Sequence, residues 1–135
     1  MLAERLTPIL NVSNFADSIR WFEKLGWRKG WDWGDPADFG AVISGDCEIF
    51  LCENCQGGRG KGQGVWIMVK ISDIDAIHRD CEAAGVEILM PPTEVPWGLR
   101  ELHVRHPDGH VLRMGERIQR GDVADTVKPC AGTDG

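Results

Sequence analysis

The stretch Ser-Asn-Phe-Ala-Asp-Ser-Ile-Arg-Trp-Phe-Glu-Lys-Leu-Gly at residues 13–26 decides the fold, because a related stretch follows it. That stretch is Ser-Asp-Ile-Asp-Ala-Ile-His-Arg-Asp-Cys-Glu-Ala-Ala-Gly at residues 72–85, an offset of 59 positions. Each copy has a serine suited to cap a helix, apolar residues at helical spacing and a glycine suited to end it. The sequence therefore predicts two related helices, at about 14–25 and 73–84.

Strand-like segments surround both predicted helices, one before each helix and about three after it. The predicted strands are 6–12, 27–33, 39–44 and 47–53 in the first half, and 65–71, 86–89, 101–105 and 111–115 in the second. Turns at Ser44-Gly45-Asp46 and Pro107-Asp108-Gly109 join the last two strands of each half. A βαβββ unit with one helix does not easily bury its sheet alone. The predicted fold class is therefore α+β, with two βαβββ repeats forming a curved mixed sheet around a cleft.

Residues 1–120 are predicted to form a single domain, with repeat 1 at about 6–55 and repeat 2 at about 65–116. The glycine-rich segment 56–64 between them is interpreted as a flexible linker. A phosphate-binding loop is excluded because Gly62 follows Lys61 and because Cys55 stands where that motif needs a glycine. Residues 121–135 are polar and aperiodic, which predicts a mobile C-terminal tail.

Charge and hydropathy narrow the class of partner. The 135 residues carry a formal net charge of −6, and the pI is about 5.1. Nucleic-acid binding depends on clustered Lys and Arg, so no nucleic-acid partner is predicted. No apolar run is long enough to cross a bilayer, and the first residues lack the pattern of a signal peptide. We therefore expect no membrane partner and a cytoplasmic location.

The cysteines are interpreted as reduced thiols. Five of them are scattered along the chain, which does not suit a disulfide framework, and no disulfide is expected. Cys52 and Cys55 form a Cys-x-x-Cys pair, but no second such pair exists to complete a structural zinc site. The pair is therefore interpreted as a chance spacing.

The chain has six tryptophans and no tyrosine. Indole rings fill cores and also provide stacking surfaces for flat or cationic ligands. Trp21 and Trp27 lie beside a helix and its end, so core packing is favoured for them. Trp31 and Trp33 share a strand face by alternation. They either cover the sheet together or face the cleft together.

The repeated helix, together with Pro96-Trp97-Gly98-Leu99-Arg100-Glu101 and His106-Pro107-Asp108-Gly109, resembles the vicinal oxygen chelate superfamily. That superfamily includes glyoxalases, bleomycin-resistance proteins and extradiol dioxygenases. The chain is most similar to the bleomycin-resistance proteins, over about residues 6–116. The resemblance implies a homodimer in which aromatic side chains of both subunits trap a small molecule without altering it, with a ring contributed by Trp97.

The family's metal-ligand positions fall on Thr7, Phe50, Trp66 and Arg113. The repeat agrees with this placement, since an offset of 59 carries Thr7 to Trp66 and one of 63 carries Phe50 to Arg113. Phenyl, indole and guanidinium groups are not ligands for a divalent ion, so neither a metal nor another cofactor is predicted.

His103, His106 and His110 are interpreted as solvated turn residues rather than metal ligands, with His103 reaching the pocket. Charges leave two options for the ligand. The acidic loop containing Asp32, Asp35 and Asp38 would attract a cationic ligand, although a solvated acidic loop is the commoner explanation. An inward Arg113 would favour an anionic group, unless it pairs with Glu48 or Glu101.

Eight residues are predicted to bind the ligand: Trp31, Trp33, Phe39, Phe50, Trp66, Trp97, His103 and Arg113. The leading hypothesis is metal-independent sequestration of an aromatic small molecule, with a cationic one as an option, such as a bleomycin-type antibiotic, with no catalytic residue. A second hypothesis is a glyoxalase-type lyase or isomerase, with Glu101, His103 or Glu116 as a base or unorthodox ligand. A third is a small-molecule sensor or accessory protein, which the sequence does not separate from the first.

Overall fold

Two four-stranded mixed sheets, each with one helix, make up the fold seen in a computed structural model, which describes residues 1–118. The tail predicted at 121–135 lies outside the described residues. The elements are β1 (Ile9–Val12), α1 (Phe15–Lys24), β2 (Arg28–Gly34), β3 (Ala37–Ser44), β4 (Cys47–Glu53), β5 (Trp66–Lys70), α2 (Ile74–Ala84), β6 (Glu87–Val95), β7 (Leu99–Arg105) and β8 (Val111–Arg117).

The two sheets have the same strand order, β1-β4-β3-β2 in the first and β5-β8-β7-β6 in the second. In each sheet the first pair is parallel and the other two are antiparallel. This topology confirms the predicted α+β class with two βαβββ repeats.

Contacts divide the chain into two units. Among the described residues, unit 1 comprises 1–65 and 106–110, and unit 2 comprises 66–105 and 111–118. One face of each sheet packs against its own helix, which is where the buried apolar residues lie. The opposite faces of the two sheets are therefore the ones that can carry a site.

Each helix begins one residue later than the predicted caps would place it. The side chain of Asn14 accepts a hydrogen bond from the Asp17 N–H at 2.8 Å, and that of Asp73 accepts one from the Ala76 N–H at 3.1 Å. Asn and Asp place their side-chain oxygen over the first helical N–H groups as well as serine does. No helix in residues 1–118 is long and apolar enough to cross a membrane.

The largest differences from the predicted strand boundaries are in β1 and β6. β1 begins at Ile9 rather than at residue 6, and β6 extends from Glu87 to Val95 rather than ending at 89. β6 contains Pro91 and Pro92, which have no N–H to donate to a ladder. It tolerates them because it is an edge strand with irregular register opposite β7.

The prediction that His106 and His110 are solvated is wrong. Their exposed fractions are only 2% and 1%, because the turn between β7 and β8 packs within unit 1. The backbone N–H of Val65 donates to His110 Nδ1 at 3.0 Å, so Nε2 carries the proton donated to the Asn11 carbonyl at 2.8 Å. Both histidines are therefore part of the packing of unit 1.

The segment interpreted as a flexible linker is tied to unit 1. The Arg59 guanidinium donates to the Val12 carbonyl at 3.1 Å and to Asn54 Oδ1 at 2.8 Å. The Gly60 N–H donates to the Asp108 carbonyl at 2.6 Å. Gly109 has a φ of 92°, and a Cβ there would collide with the Gly60 carbonyl, so only glycine fits this approach.

The expectation of no disulfide is also wrong, because Cys52 and Cys55 are bonded, with Cα atoms 5.6 Å apart. That separation lies within the range a disulfide spans. The chain turns sharply after β4 through Asn54, whose φ is 54°, and this turn brings the two cysteines together. Cys47 and Cys81 are free thiols.

Candidate functional site

Three predicted residues form an aromatic group on the sheet face of unit 1 opposite α1. The rings of Trp31 and Phe39, and of Trp31 and Phe50, lie 5.2 Å apart, and those of Phe39 and Phe50 lie 5.5 Å apart. All three contacts are edge-to-face, the favourable geometry for aromatic pairs. We call Trp31, Phe39 and Phe50 the unit 1 aromatic cluster.

A carboxylate adjoins the unit 1 aromatic cluster. Glu48 Oε2 accepts a hydrogen bond from Trp31 Nε1 at 3.3 Å, and its other oxygen lies 3.8 Å from an Arg5 nitrogen. The Trp31 ring is thereby oriented by its N–H. The predicted pairing of Arg113 with Glu48 is not observed, since Arg113 pairs with Glu101.

Trp33 does not join the unit 1 aromatic cluster. Its side chain is 71% exposed, and the described residues give it no ring partner. Nearby Asp32 forms an ion pair with Lys29 at 2.7 Å, which offsets part of the negative charge predicted for this region. Trp21 and Trp27, by contrast, are buried as expected.

Unit 2 has a polar network centred on the buried carboxylate of Glu101. Oε1 accepts hydrogen bonds from His103 Nε2 at 2.8 Å and Arg113 Nε at 3.0 Å. Oε2 accepts from Trp97 Nε1 at 2.9 Å and Arg113 Nη2 at 3.1 Å. We call Trp97, Glu101, His103 and Arg113 the Glu101 network.

Local sequence explains why the Glu101 network forms. Positions 101 and 103 point to the same sheet face, and His103 pairs in register with Arg113 on β8. Glu101 pairs with Gly115, where a Cβ would crowd Met68 and Leu99 and approach the Glu101 side chain itself. The missing side chain at residue 115 therefore leaves the space in which Glu101 lies.

The carboxylate of Glu101 is held in its ionised form. Burial by itself raises its pKa, but the hydrogen bonds from Arg113, His103 and Trp97 together lower the pKa below the ordinary value. A carboxylate has about four acceptor positions, and all of them are used here. Glu101 is thus a structural acceptor and is unsuited to removing a proton from a substrate.

Exposed rings lie beside the Glu101 network. The Trp66 side chain is 58% exposed, and its ring lies edge-on to the His103 ring, with centroids 5.8 Å apart. The Arg113 guanidinium lies 5.7 Å from the centroid of the Trp97 ring, at the distance of a cation–π contact. Unit 2 therefore offers two indole surfaces next to a fixed cation.

Six of the eight predicted residues fall into these two groups, three in each, and a seventh, Trp66, lies beside the Glu101 network. Trp33 is the exception. Sequence reasoning treated Glu101 as a base or ion-pair partner and missed its central position. The sequence feature that could have identified this position is the spacing of Glu101, four residues after Trp97 and two before His103. This spacing places the three residues around one turn and one strand face.

The residues at the family's metal positions do not fit a divalent ion. Phe50, Trp66 and Arg113 have no imidazole, carboxylate or thiolate donor, and Thr7 precedes β1. Among residues 1–118, no three His, Cys, Asp or Glu side chains are placed to hold an ion. No chemical step is therefore derived through a metal.

A second constellation, Ser18, His106 and Asp108, resembles a nucleophilic triad in composition. Ser18 Oγ lies 3.1 Å from His106 Nε2, beside a cavity of about 370 Å³. However, His106 Nδ1 accepts the Asp108 backbone N–H at 2.9 Å, so the proton is on Nε2 and is donated to Ser18. Burial also lowers the pKa of His106 to about 4. The histidine cannot accept the serine proton, so the group anchors the turn instead.

Comparison with known proteins agrees with this geometry. The sequence model of the glyoxalase/bleomycin resistance protein/dioxygenase superfamily matches residues 5–114. A curated protein, N5-carboxyaminoimidazole ribonucleotide synthase of Corynebacterium ammoniagenes, is 35% identical over 106 residues, or 74% of this chain. The chain spans about a quarter of the length of that relative, 24%.

Solved structures with the same fold include TioX from Micromonospora sp. ML1, with a TM-score of 0.74 and 21% identity over 86% of this chain and 100% of that one. The bleomycin resistance determinant encoded on transposon Tn5 has a TM-score of 0.68 and 17% identity, covering 87% of this chain and 100% of its own. A bleomycin-binding protein solved in complex with bleomycin has a TM-score of 0.66 and 17% identity, covering 86% and 100%. At these identities the likeness establishes the fold.

Proposed function

The chain belongs to the glyoxalase/bleomycin resistance protein/dioxygenase superfamily, and we propose that it binds and sequesters a flat aromatic small molecule without altering it. The observation that carries the proposal is the pair of exposed indole rings, Trp66 and Trp97, beside the Glu101 network. These rings provide stacking area, and the hydrogen bonds around them reduce the ordering cost of binding.

A bleomycin-type antibiotic is the specific ligand proposed. Two proteins of the same fold carry that drug in their names, one as a resistance determinant and one as a complex with it. The proposal includes a homodimer and a cytoplasmic location. Light scattering and cell fractionation test these two points.

A glyoxalase-type enzyme is less well supported, because two of its three candidate bases are engaged. All acceptor positions of Glu101 are filled, and Glu116 Oε1 accepts the Ile74 N–H at 3.0 Å. Only His103 retains a free ring nitrogen, Nδ1, when its Nε2 proton is donated to Glu101. Turnover of a hemithioacetal by purified protein would favour this alternative.

The deciding experiment is a titration with bleomycin, followed by tryptophan fluorescence and calorimetry. We expect saturable quenching at about two sites per dimer, as the family resemblance implies. Trp97→Ala should weaken binding by about tenfold, because loss of one stacked indole costs on the order of 1–2 kcal/mol. Leu89→Ala removes an exposed apolar side chain outside both aromatic groups and serves as the control. Absence of saturable binding would reject the drug.

An accessory role is the second candidate. It is favoured by the curated relative, of which this chain matches only about a quarter of the length, 24%. The ligand would then be a metabolite such as an aminoimidazole ribonucleotide, the class named for that relative. Saturable binding of aminoimidazole ribonucleotide together with no binding of bleomycin would establish this candidate over the first.

A further inference from the structure

Arg113 retains hydrogen-bonding capacity that no side chain or backbone group within residues 1–118 uses. A guanidinium has five N–H donors. Among the described residues, Glu101 receives one from Nε and one from Nη2, which leaves both N–H groups of Nη1 and one of Nη2. The Arg113 side chain is 35% exposed, so these donors are accessible.

The position of this cation is fixed on two sides. The two parallel hydrogen bonds to Glu101 form the fork geometry that holds a guanidinium in one plane. The Trp97 ring lies against it, and Trp97 is itself held by its N–H bond to the same carboxylate. An incoming ligand therefore meets a donor array whose conformational entropy is already restricted.

The accessible charge of this surface is positive. Glu101 is buried and has its acceptor positions filled, so a ligand makes no hydrogen bond to its carboxylate. Arg113 remains partly exposed and lies against the Trp97 ring, and the exposed Trp66 ring contacts His103, which is paired in register with Arg113. A cationic ring placed on these indoles would approach a like charge, whereas an acceptor oxygen would find a donor.

Resting on the aromatic binding of the proposed function and not on the bleomycin-type drug, we propose that the ligand of unit 2 is a planar aromatic carboxylate. Its ring stacks on an exposed indole, and its carboxylate oxygens accept the unused N–H groups of Arg113. Glu101 is a positioning residue in this recognition, because it orients the guanidinium without touching the ligand. The sequence leaves open whether the ligand is cationic or anionic, and this proposal selects an anionic ligand for unit 2.

The test uses three ligands of one shape and different charge: 2-naphthoate, 2-naphthamide and 2-naphthylmethylammonium. Calorimetry on the full chain should give the tightest binding for 2-naphthoate and the weakest for the ammonium compound. We expect a ratio of at least about tenfold between the two extremes, since charge-assisted hydrogen bonds are stronger than neutral ones.

Variants assign the preference to named residues. Arg113→Gln should abolish the preference, so that 2-naphthoate binds this variant no more tightly than 2-naphthamide does. Glu101→Gln should reduce the preference for 2-naphthoate over 2-naphthamide, although Arg113 keeps its charge. A merely structural role of Glu101 would instead lower the affinity for both ligands alike. The double variant with both changes leaves no unpaired charge in the Glu101 network. It can therefore replace Arg113→Gln in the comparison of the three ligands if that single variant does not fold.

Arg100→Gln is the matched control, because Arg100 lies on β7, the strand that carries Glu101, but pairs with Asp75. It should leave the preference unchanged. Equal affinity for the three ligands, or an unchanged preference in Arg113→Gln, would overturn this inference while leaving aromatic binding intact. Absence of binding by all three ligands would also overturn the inference of an aromatic carboxylate ligand. The proposed function would be rejected only if bleomycin also failed to bind.

Discussion

At the scale of single residues, Glu101 illustrates how a buried charge is tolerated. An isolated carboxylate would be costly to bury, but here every acceptor position is filled and one partner is a cation. The arrangement places three of the proposed binding residues around one side chain. Changes at position 101 or 113 should consequently affect stability as well as binding.

Truncation of Arg113 tests the stability part of this statement. Arg113→Ala should lower the free energy of unfolding by about 2 kcal/mol, because it leaves Glu101 buried with only Trp97 and His103 as donors. Urea denaturation at neutral pH measures the change. Arg100→Ala, which removes an exposed ion pair with Asp75, should cost less than about 1 kcal/mol. Equal losses in the two variants would contradict the account.

His106 gives a prediction for acid stability. Burial lowers its pKa to about 4 in the folded protein, from the ordinary value of 6.5. The folded state thus favours the neutral ring. The free energy of unfolding that the neutral His106 contributes is therefore fully present above pH 6.5. It declines as the unfolded chain becomes protonated between pH 6.5 and about 4, by on the order of 3 kcal/mol in all.

Urea unfolding between pH 4 and 8 measures this decline. His106→Gln removes the titrating ring, so its stability should vary less with pH over the same interval, even if it is lower throughout. Parallel pH profiles for the two proteins would show that His106 is not the group responsible.

At the scale of elements, the two repeats share a contact that joins strand to helix. Glu53, at the end of β4, accepts the N–H of Phe15 at 2.8 Å, and Glu116 on β8 accepts that of Ile74 at 3.0 Å. Each acceptor is a carboxylate at the first residue of a helix, where the exposed N–H groups and the helix dipole favour negative charge. The internal repeat is thus conserved in its helix-to-sheet contacts as well as in its sequence pattern.

Replacing these carboxylates should weaken each unit. Glu53→Gln or Glu116→Gln should each lower the free energy of unfolding by about 1 kcal/mol, since the charge at the helix start is lost. Thermal unfolding compared with that of Glu23→Gln provides the measurement. Glu23 lies in the last turn of α1, where a negative charge is not favoured, so its replacement should cause no loss. A loss in Glu23→Gln equal to the others would refute the argument.

At the scale of the whole molecule, the proposed homodimer is open to a direct test. Light scattering at micromolar concentration should give about twice the 15.0 kDa mass of the chain. If folding and association are coupled, the midpoint of unfolding should rise with protein concentration. A monomer mass with a concentration-independent midpoint would remove the dimer from the proposal.

The sequence alone was sufficient for the topology, because helix periodicity, strand alternation and turn residues are local and occur here twice. The helix positions, the βαβββ order of elements along each repeat and the family followed from residues 13–26, their counterpart at 72–85 and the Pro-Trp-Gly-x-Arg-Glu motif. Local patterns also separated the buried Trp21 and Trp27 from the more exposed Trp66 and Trp97.

Only the tertiary structure decided which residues meet across the chain. The burial of His106 and His110, the Cys52–Cys55 bond and the extension of β6 depend on neighbours or register that no local pattern records. The four hydrogen bonds to Glu101 come from residues up to 12 positions away, on another strand. Charge pairing and burial depend on distances in space, whereas periodicity depends on spacing in sequence, and this is why the fold was predictable and the Glu101 network was not.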